Sequence, residues 1–213
     1  MTWTLVVPLK PLFRAKSRLA GAPEGLPVPE LALAFAQDTV RAALECAAVR
    51  GVVVVTDDSL AAGELRALGA RTVPDLPGDG LNAALAHGAA AARAAEPDTP
   101  VAALNADLPA LRPAELERVL NAASGFSRAF LPDAAEIGTT VLTALPRTEL
   151  SPAFGGPSRA RHRASGAVEL PVTGVASVRQ DVDTPEDLRT ALELGVGGST
   201  SALLAGPVPE PGR

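Results

Sequence analysis

The sequence predicts an α/β fold, with an open, mostly parallel mixed sheet flanked by helices in a single domain. Three observations predict it. Short apolar or β-branched runs alternate with long Ala/Leu-rich segments of helical spacing, which is how strands buried on both faces alternate with crossover helices. Aromatic residues make up only 3% of the chain, with no Tyr and one Trp, so the core must be built from Ala, Val and Leu, which suits helices laid on a parallel sheet. With 213 residues and 47% hydrophobic content there is material for one substantial core, and a second independent domain is not expected.

Taken in order, Thr4 to Val7 is an apolar run ended by Pro8 and reads as the first strand. Pro29 to Ala47 is the first helix, since Pro29 suits a first helical turn. The β-branched run Val52 to Thr56 is the second strand, and Ser59 to Leu68, closed by Gly69, is the second helix. Thr72-Val73 is a minimal strand, followed by a helix over Leu81 to Ala95, a fourth strand over Val101 to Asn105 and a helix over Pro113 to Ala123. Arg128 to Leu131 and Thr139 to Leu145 then read as strands able to pair antiparallel, which makes the late part of the sheet mixed. The last clear element is Thr184 to Leu194, with Thr184 as cap, Pro185 in the first turn, and Glu186 and Asp187 at the positive end of the helix. Beyond Gly195 the composition turns to Gly, Ser, Pro and Ala. Residues 196–213 are therefore expected to be a flexible tail behind a domain of residues 1–195.

Charge and composition exclude several functions. The net charge is -5 and no Lys/Arg block is interleaved with aromatics, so no nucleic-acid partner is expected. No apolar run reaches the roughly 18 residues of a membrane span, and MTWTLVVPLK lacks a charged start and cleavage site; no membrane partner and a cytoplasmic location are expected. Cys46 is the sole cysteine, which rules out an intrachain disulfide and a multi-cysteine zinc site, and it reads as a small core residue. No Ser/His/Asp spacing or activated Cys supports covalent catalysis.

In an open α/β sheet, ligands bind at the carboxyl ends of strands. The loop after the first strand carries Lys10, Arg14, Lys16 and Arg18 within nine residues of an acidic chain, either a cradle for a triphosphate or an exposed basic loop. Asp107 stands where the fourth strand leaves the sheet, a position that a turn or cap residue also takes. Asp181 and Asp183, at i and i+2, project to the same side of an extended segment. With Asp107 they make a set of hard oxygen ligands suited to magnesium; the plainer reading gives Asp183 to the helix cap and Asp181 to solvent.

Gly78, Gly80 and Ala83 have the spacing of a dinucleotide fingerprint, but a Pro-rich stretch separates them from any long strand. The segment reads better as a glycine turn at Gly80 that lets backbone approach a base or ribose, with the Asn82 amide as a partner, or else as an ordinary helix start. Gly138-Thr139-Thr140 and Phe154-Gly155-Gly156-Pro157-Ser158 can hold an anion on backbone amides, with Ser158 as cap or ligand. In the run Arg159 to Arg163, Arg161 and His162 read as a solvated basic helix face, and His87 as a surface residue.

Together, PLKPLFRAKSRL, TDD at positions 56 to 58, GDGLN, LNADLPAL, GTT, FGGPS and DVDTPEDL resemble the guanylyltransferases of coenzyme F-420 biosynthesis. Those enzymes act on 2-phospho-L-lactate or phosphoenolpyruvate and belong to the superfamily that includes the molybdenum-cofactor guanylyltransferases. The resemblance spans residues 2–195. It implies a Rossmann-like nucleotidyltransferase domain of the nucleotide-diphospho-sugar transferase type, with GTP and a small phospho-acid as substrates and magnesium as cofactor. It further implies that Asp107, Asp181 and Asp183 bind two magnesium ions and that Thr139, Gly155 and Ser158, with Thr140 beside them, hold the acid's phosphate and carboxylate. Lys10, Lys16 and Asn82 would contact GTP, with Pro8, Leu9 and Gly80 in the same subsite, and Lys10, Lys16 and Asp107 would carry catalysis. The first loop lacks the LxGGxGxR pattern of the molybdenum-cofactor and sugar-nucleotide branches, which argues against their substrates. The choice of phospho-acid stays open, as does a homodimer. The rivals are another nucleotidyltransferase of this fold and a non-catalytic nucleotide-binding module.

Overall fold

In the computed structural model, residues 1–14, 28–76 and 78–206 are described. Seven strands form one sheet: β1 (Trp3–Pro8), β2 (Val49–Val55), β3 (Arg71–Val73), β4 (Val101–Leu104), β5 (Arg128–Pro132), β6 (Thr139–Ala144) and β7 (Val168–Glu169). Their order across the sheet is β3-β2-β1-β4-β6-β5-β7. β1 runs parallel to both β2 and β4, β2 to β3, and β5 to β7, whereas β6 is antiparallel to both its neighbours. The expected open, mostly parallel mixed sheet is what forms, and β6, antiparallel to β5 (Arg128–Pro132 against Thr139–Ala144) and to β4, supplies its mixed part.

Eight helices accompany the strands among the described residues: α1 (Val28–Glu45), α2 (Ser59–Ala67), α3 (Leu81–Ala95), α4 (Pro113–Ala123), α5 (Ser158–Ala164), α6 (Ala176–Arg179), α7 (Pro185–Leu194) and α8 (Gly198–Ala205). Alternate strand residues serve opposite faces of the sheet. Leu5, Val7, Val52, Val54, Ala102 and Leu104 pack with Ala36, Val40 and Ala43 of α1 and Leu116, Val119 and Leu120 of α4. Val6, Val53, Val55, Val101 and Ala103 pack with Ala84, Leu85, Ala89 and Ala92 of α3. Both faces are covered, which is why these strands are apolar without alternation. The small residues of α3 let it lie close to the sheet. A Cβ on Gly88 would fall 2.4 Å from Val6 Cγ1 and 2.6 Å from Val55 Cγ2.

Local signals proved accurate where they were strong. α7 begins at Pro185 with a complete capping box, in which the Thr184 side chain accepts from the Asp187 N–H and the Asp187 carboxylate accepts from the Thr184 N–H. The C-terminal segment needs a correction, because residues 196–206 are folded rather than a flexible tail. Asp38, buried on α1, accepts the N–H groups of Ser199 and Thr200 at 2.8 Å each. Val196, Leu203 and Leu204 pack on a cluster of Leu31, Phe35, Ala110, Val182, Leu188 and Ala191. Glycine is needed here for fit, since a Cβ on Gly197 would lie 2.4 Å from the Asp38 carboxyl carbon. Residues 207–213 lie outside the described residues. No helix among the described residues is long and apolar enough to cross a membrane.

Candidate active site

The strand order places a switch point between β1 and β4, because β1 is followed in sequence by β2 on one flank and β4 by β5 on the other. A cleft of about 430 Å³ occupies that position. Its first wall is Pro8, Leu9 and Lys10. The turn carrying Lys10 is held at both ends: the Leu9 N–H donates to the Val55 carbonyl at 2.9 Å and the Leu12 N–H to Asp58 Oδ2 at 3.0 Å. Asp58 also caps α2 by accepting from the Ala61 N–H. The Leu12 N–H, followed by that of Ala61, holds the Asp58 carboxyl below the usual carboxylate range. This explains the second Asp of TDD as the anchor of the basic loop. Lys16 falls outside the described residues.

The second wall is acidic. The Val182 N–H donates to the Asp107 carbonyl at 3.0 Å, which joins the end of β4 to the segment before α7. Val182 is fully buried in the cluster with Phe35 and Leu188. On either side of it Asp181 and Asp183 line the cleft, as does Asp107. Asn105 orients one of them, its side-chain amide donating to Asp181 Oδ2 at 3.3 Å. No group of three His, Cys, Asp or Glu among the described residues is arranged to hold one metal ion. The three aspartates thus share a cleft without forming a ready-made cage for a single cation. Carboxylates are the hard oxygen donors that magnesium takes, one or two per ion, with phosphate oxygens and water completing its shell.

The third wall comes from β6 and the loop leading into α5. Asp133 accepts the N–H groups of Ile137 and Gly138 at 3.0 and 2.8 Å, closing the β5–β6 turn, and a Cβ on Gly138 would lie 2.3 Å from Asp133 Oδ2. The glycine of GTT therefore serves the turn. Gly155 and Gly156 have φ of +91° and +46°, the left-handed region that favours glycine, and this bend brings the loop onto the cleft beside Thr139 and Ser158. The first amides of α5 are internally satisfied, Ser158 N–H by the Gly156 carbonyl and Arg159 N–H by the Ile137 carbonyl.

Not every expected residue reaches the cleft. Thr140 is fully buried and does not line it, and its carbonyl accepts from the Asn105 N–H at 3.1 Å. Gly80 is the exposed N-cap of α3. Asn82 clamps the glycine loop instead, with its Nδ2 donating to the Phe154 carbonyl at 3.2 Å and its Oδ1 accepting the Phe154 N–H at 2.7 Å. His162 departs furthest from expectation. It is fully buried rather than solvated, Nδ1 lying 2.9 Å from Thr139 Oγ1 while Nε2 accepts the Ala153 N–H at 2.9 Å. Burial, then the charges of Arg128 and Arg161, push its pKa down to about 4. A helical signal was available for it, since Ser158 and His162 are four apart and share the buried face of α5. Arg159 and Arg163, also four apart, instead both pair with Glu169.

Residues 33–165 match the MobA-like NTP transferase domain, and the chain belongs to this family of nucleotidyltransferases. Closely similar proteins narrow the class. The chain is 69% identical to a phosphoenolpyruvate guanylyltransferase of Streptomyces coelicolor, over 96% of its own length and 97% of that protein. It is 70% identical to one from Streptomyces avermitilis, over 96% and 95% of the two chains. It is thus a member of the phosphoenolpyruvate guanylyltransferase family within the MobA-like group. Among solved structures, a nucleotidyl transferase from Methanothermobacter thermautotroptrophicus shares the fold, with a TM-score of 0.62 at 22% identity, covering 91% of this chain and 97% of that one.

Proposed function

We propose that the protein transfers GMP from GTP to the phosphate of phosphoenolpyruvate, releasing pyrophosphate, in the cytoplasm and as a step toward coenzyme F-420. The observation that carries this reading is the composition of one cleft. Among the described residues lining it are four carboxylates, Asp107, Asp133, Asp181 and Asp183, against one cation, Lys10. Like charges about 4 Å apart repel by roughly 1 kcal/mol in water and roughly 4 kcal/mol in a partly desolvated site. A cleft of this charge admits two phosphate-bearing substrates when divalent cations stand between them and the aspartates. The relatives' shared name favours phosphoenolpyruvate as acceptor over 2-phospho-L-lactate.

In this reading a phosphate oxygen of the acid attacks the α-phosphorus of GTP in line. The new P–O bond forms as the bond from the α-phosphorus to the bridging oxygen breaks, and pyrophosphate departs with that electron pair. A phosphate dianion is already a nucleophile, so no general base is needed. Asp107, Asp181 and Asp183 would hold magnesium, which when bound neutralises phosphate oxygens as a Lewis acid. Lys10, with Lys16 six positions further along the sequence, stabilises charge on the departing pyrophosphate, while Thr139, Gly155 and Ser158 hold the acid. The segment joined to Asp107 by the Val182 N–H keeps the aspartates beside one another without help from substrate.

The test is a pyrophosphate-release assay with GTP and magnesium against a panel of small phospho-acids, with the product identified by mass. Phosphoenolpyruvate should give a guanosine diphosphate-linked acid, and chelating the metal should stop the reaction. GTP binding with no pyrophosphate from any acid would instead mark a non-catalytic nucleotide-binding module.

A further inference from the structure

His162 touches none of the cleft's open space and yet contacts two of the pieces that build its third wall. We propose that it is a positioning residue for the acid substrate, giving its Nδ1 proton to Thr139 in a hydrogen bond so that the threonine hydroxyl is preset to donate its own proton to an anion in the cleft. The inference rests on the proposed function and deepens it.

The argument begins from the backbone. The Ala153 N–H donates to Nε2 at 2.9 Å, so that nitrogen carries a lone pair and no proton. A neutral imidazole with an unprotonated Nε2 bears its hydrogen on Nδ1. Nδ1 is 2.9 Å from Thr139 Oγ1, and its N–H donates to that oxygen. A hydroxyl that accepts from the ring must send its own hydrogen elsewhere, and Thr139, though 3% exposed, lines the cleft. An anionic oxygen there meets a donor rather than a lone pair. A chain of two hydrogen bonds also polarises the terminal hydroxyl, and a rotor fixed in advance loses less entropy on binding.

The same ring steadies the neighbouring loop. Ala153 is held by His162, and Phe154, the residue before Gly155, is held at both its N–H and its carbonyl by Asn82. The imidazole packs between Phe130 and the edge of Phe154, with ring centroids 5.8 and 5.0 Å away. A protonated ring would carry an N–H on both nitrogens and oppose the Ala153 N–H. Burial and the positive charges of Arg128 on β5 and Arg161 on α5 keep it neutral until about pH 4.

The experiment combines steady-state kinetics on His162→Phe, Thr139→Val and the double variant with a measurement of the ring itself. His162→Phe keeps an aromatic ring between Phe130 and Phe154 and removes both nitrogens. Thr139→Val should raise KM for phosphoenolpyruvate about 10- to 100-fold, the range expected for losing a hydrogen bond to a charged group. His162→Phe, which leaves the hydroxyl in place but no longer preset, should raise it about 3- to 10-fold, as expected for a rotor that must be fixed on binding, and leave KM for GTP within about 2-fold. Added to Thr139→Val it should change little more, because both act through one hydroxyl. His162→Gln, which can still accept and donate, should recover part of the loss. Additive effects in the double variant, or equal rises in both KM values, would show a merely structural role. Should His162→Phe fail to fold, two-bond ¹H–¹⁵N spectra of the wild-type imidazole decide the matter: a proton on Nδ1 supports the proposal and a proton on Nε2 overturns it, whether or not the protein turns over. A wild-type protein inactive with every phospho-acid would count against the function itself, whereas an active wild type with unaffected variants would count against His162 alone.

Discussion

His162 couples stability to acidity in a direction that can be worked out. Its pKa lies near 4 in the folded chain against an ordinary value of 6.5, so between those values the unfolded chain binds the extra proton and the folded chain does not. Stability is therefore undiminished above about pH 6.5, falls as the pH drops toward 4, and stops falling from this cause below that. The whole window is worth on the order of 3 kcal/mol. Denaturant unfolding at pH 7, 5.5 and 4.5 should show this fall, with His162→Phe giving a flatter profile; parallel profiles would mean that the ring does not carry the effect. Asp58 acts in a lower window. Its carboxyl is held below 3.8 by the Leu12 and Ala61 amides, so its contribution is present above that value and disappears as the pH falls through its depressed folded pKa.

At the scale of elements, the telling case is α8. An eight-residue helix is too short to be stable on its own, and this one is fastened by the buried Asp38 carboxylate at its amino end and by Leu203 and Leu204 against α1. A negative charge there also meets the positive end of the helix dipole. Asp38→Ala should cost about 2–4 kcal/mol, since it strands two amides that were bound to a charged group. Hydrogen exchange should show α8 opening before α1 or the sheet in that variant; protection of residues 199 and 200 unchanged from wild type would contradict this. The longer helices depend less on any one partner. α1, α3 and α4 each bury an apolar stripe, and it is that stripe which made them legible as helices.

Across the whole molecule, the site is an agreement among distant segments. The first turn after β1, the end of β4, the β5–β6 hairpin, the glycine loop and the stretch before α7 all meet at one crevice. Asp183 is exposed at its edge, so Asp183→Ala should leave the melting temperature within about 2 °C, as surface substitutions do. Loss of its charge should nonetheless lower pyrophosphate release at least about 100-fold if it helps hold a catalytic cation. Pyrophosphate release at the wild-type rate would remove Asp183 from the machinery.

What the sequence determined by itself was what repeats within the longer elements or sits at their ends; β7, α6 and α8 were not read from it. The alternation of strands and helices, the Thr184 cap, the antiparallel late hairpin and the chemical inventory of the strand-end loops were all legible, because side-chain periodicity and capping are local physics. The family motifs marked Lys10, Asp107, Thr139, Gly155, Ser158, Asp181 and Asp183, and these residues share one cleft. Only the tertiary structure decided which polar groups meet across long separations. Asn82 reaches Phe154 over 72 residues, Asp38 reaches Thr200 over 162, and His162 turns inward to Thr139 rather than out to solvent. No periodicity encodes such pairings, because a buried hydrogen bond depends on where two elements pack, and a polar side chain in a short helix is as compatible with water as with a partner until that packing is known.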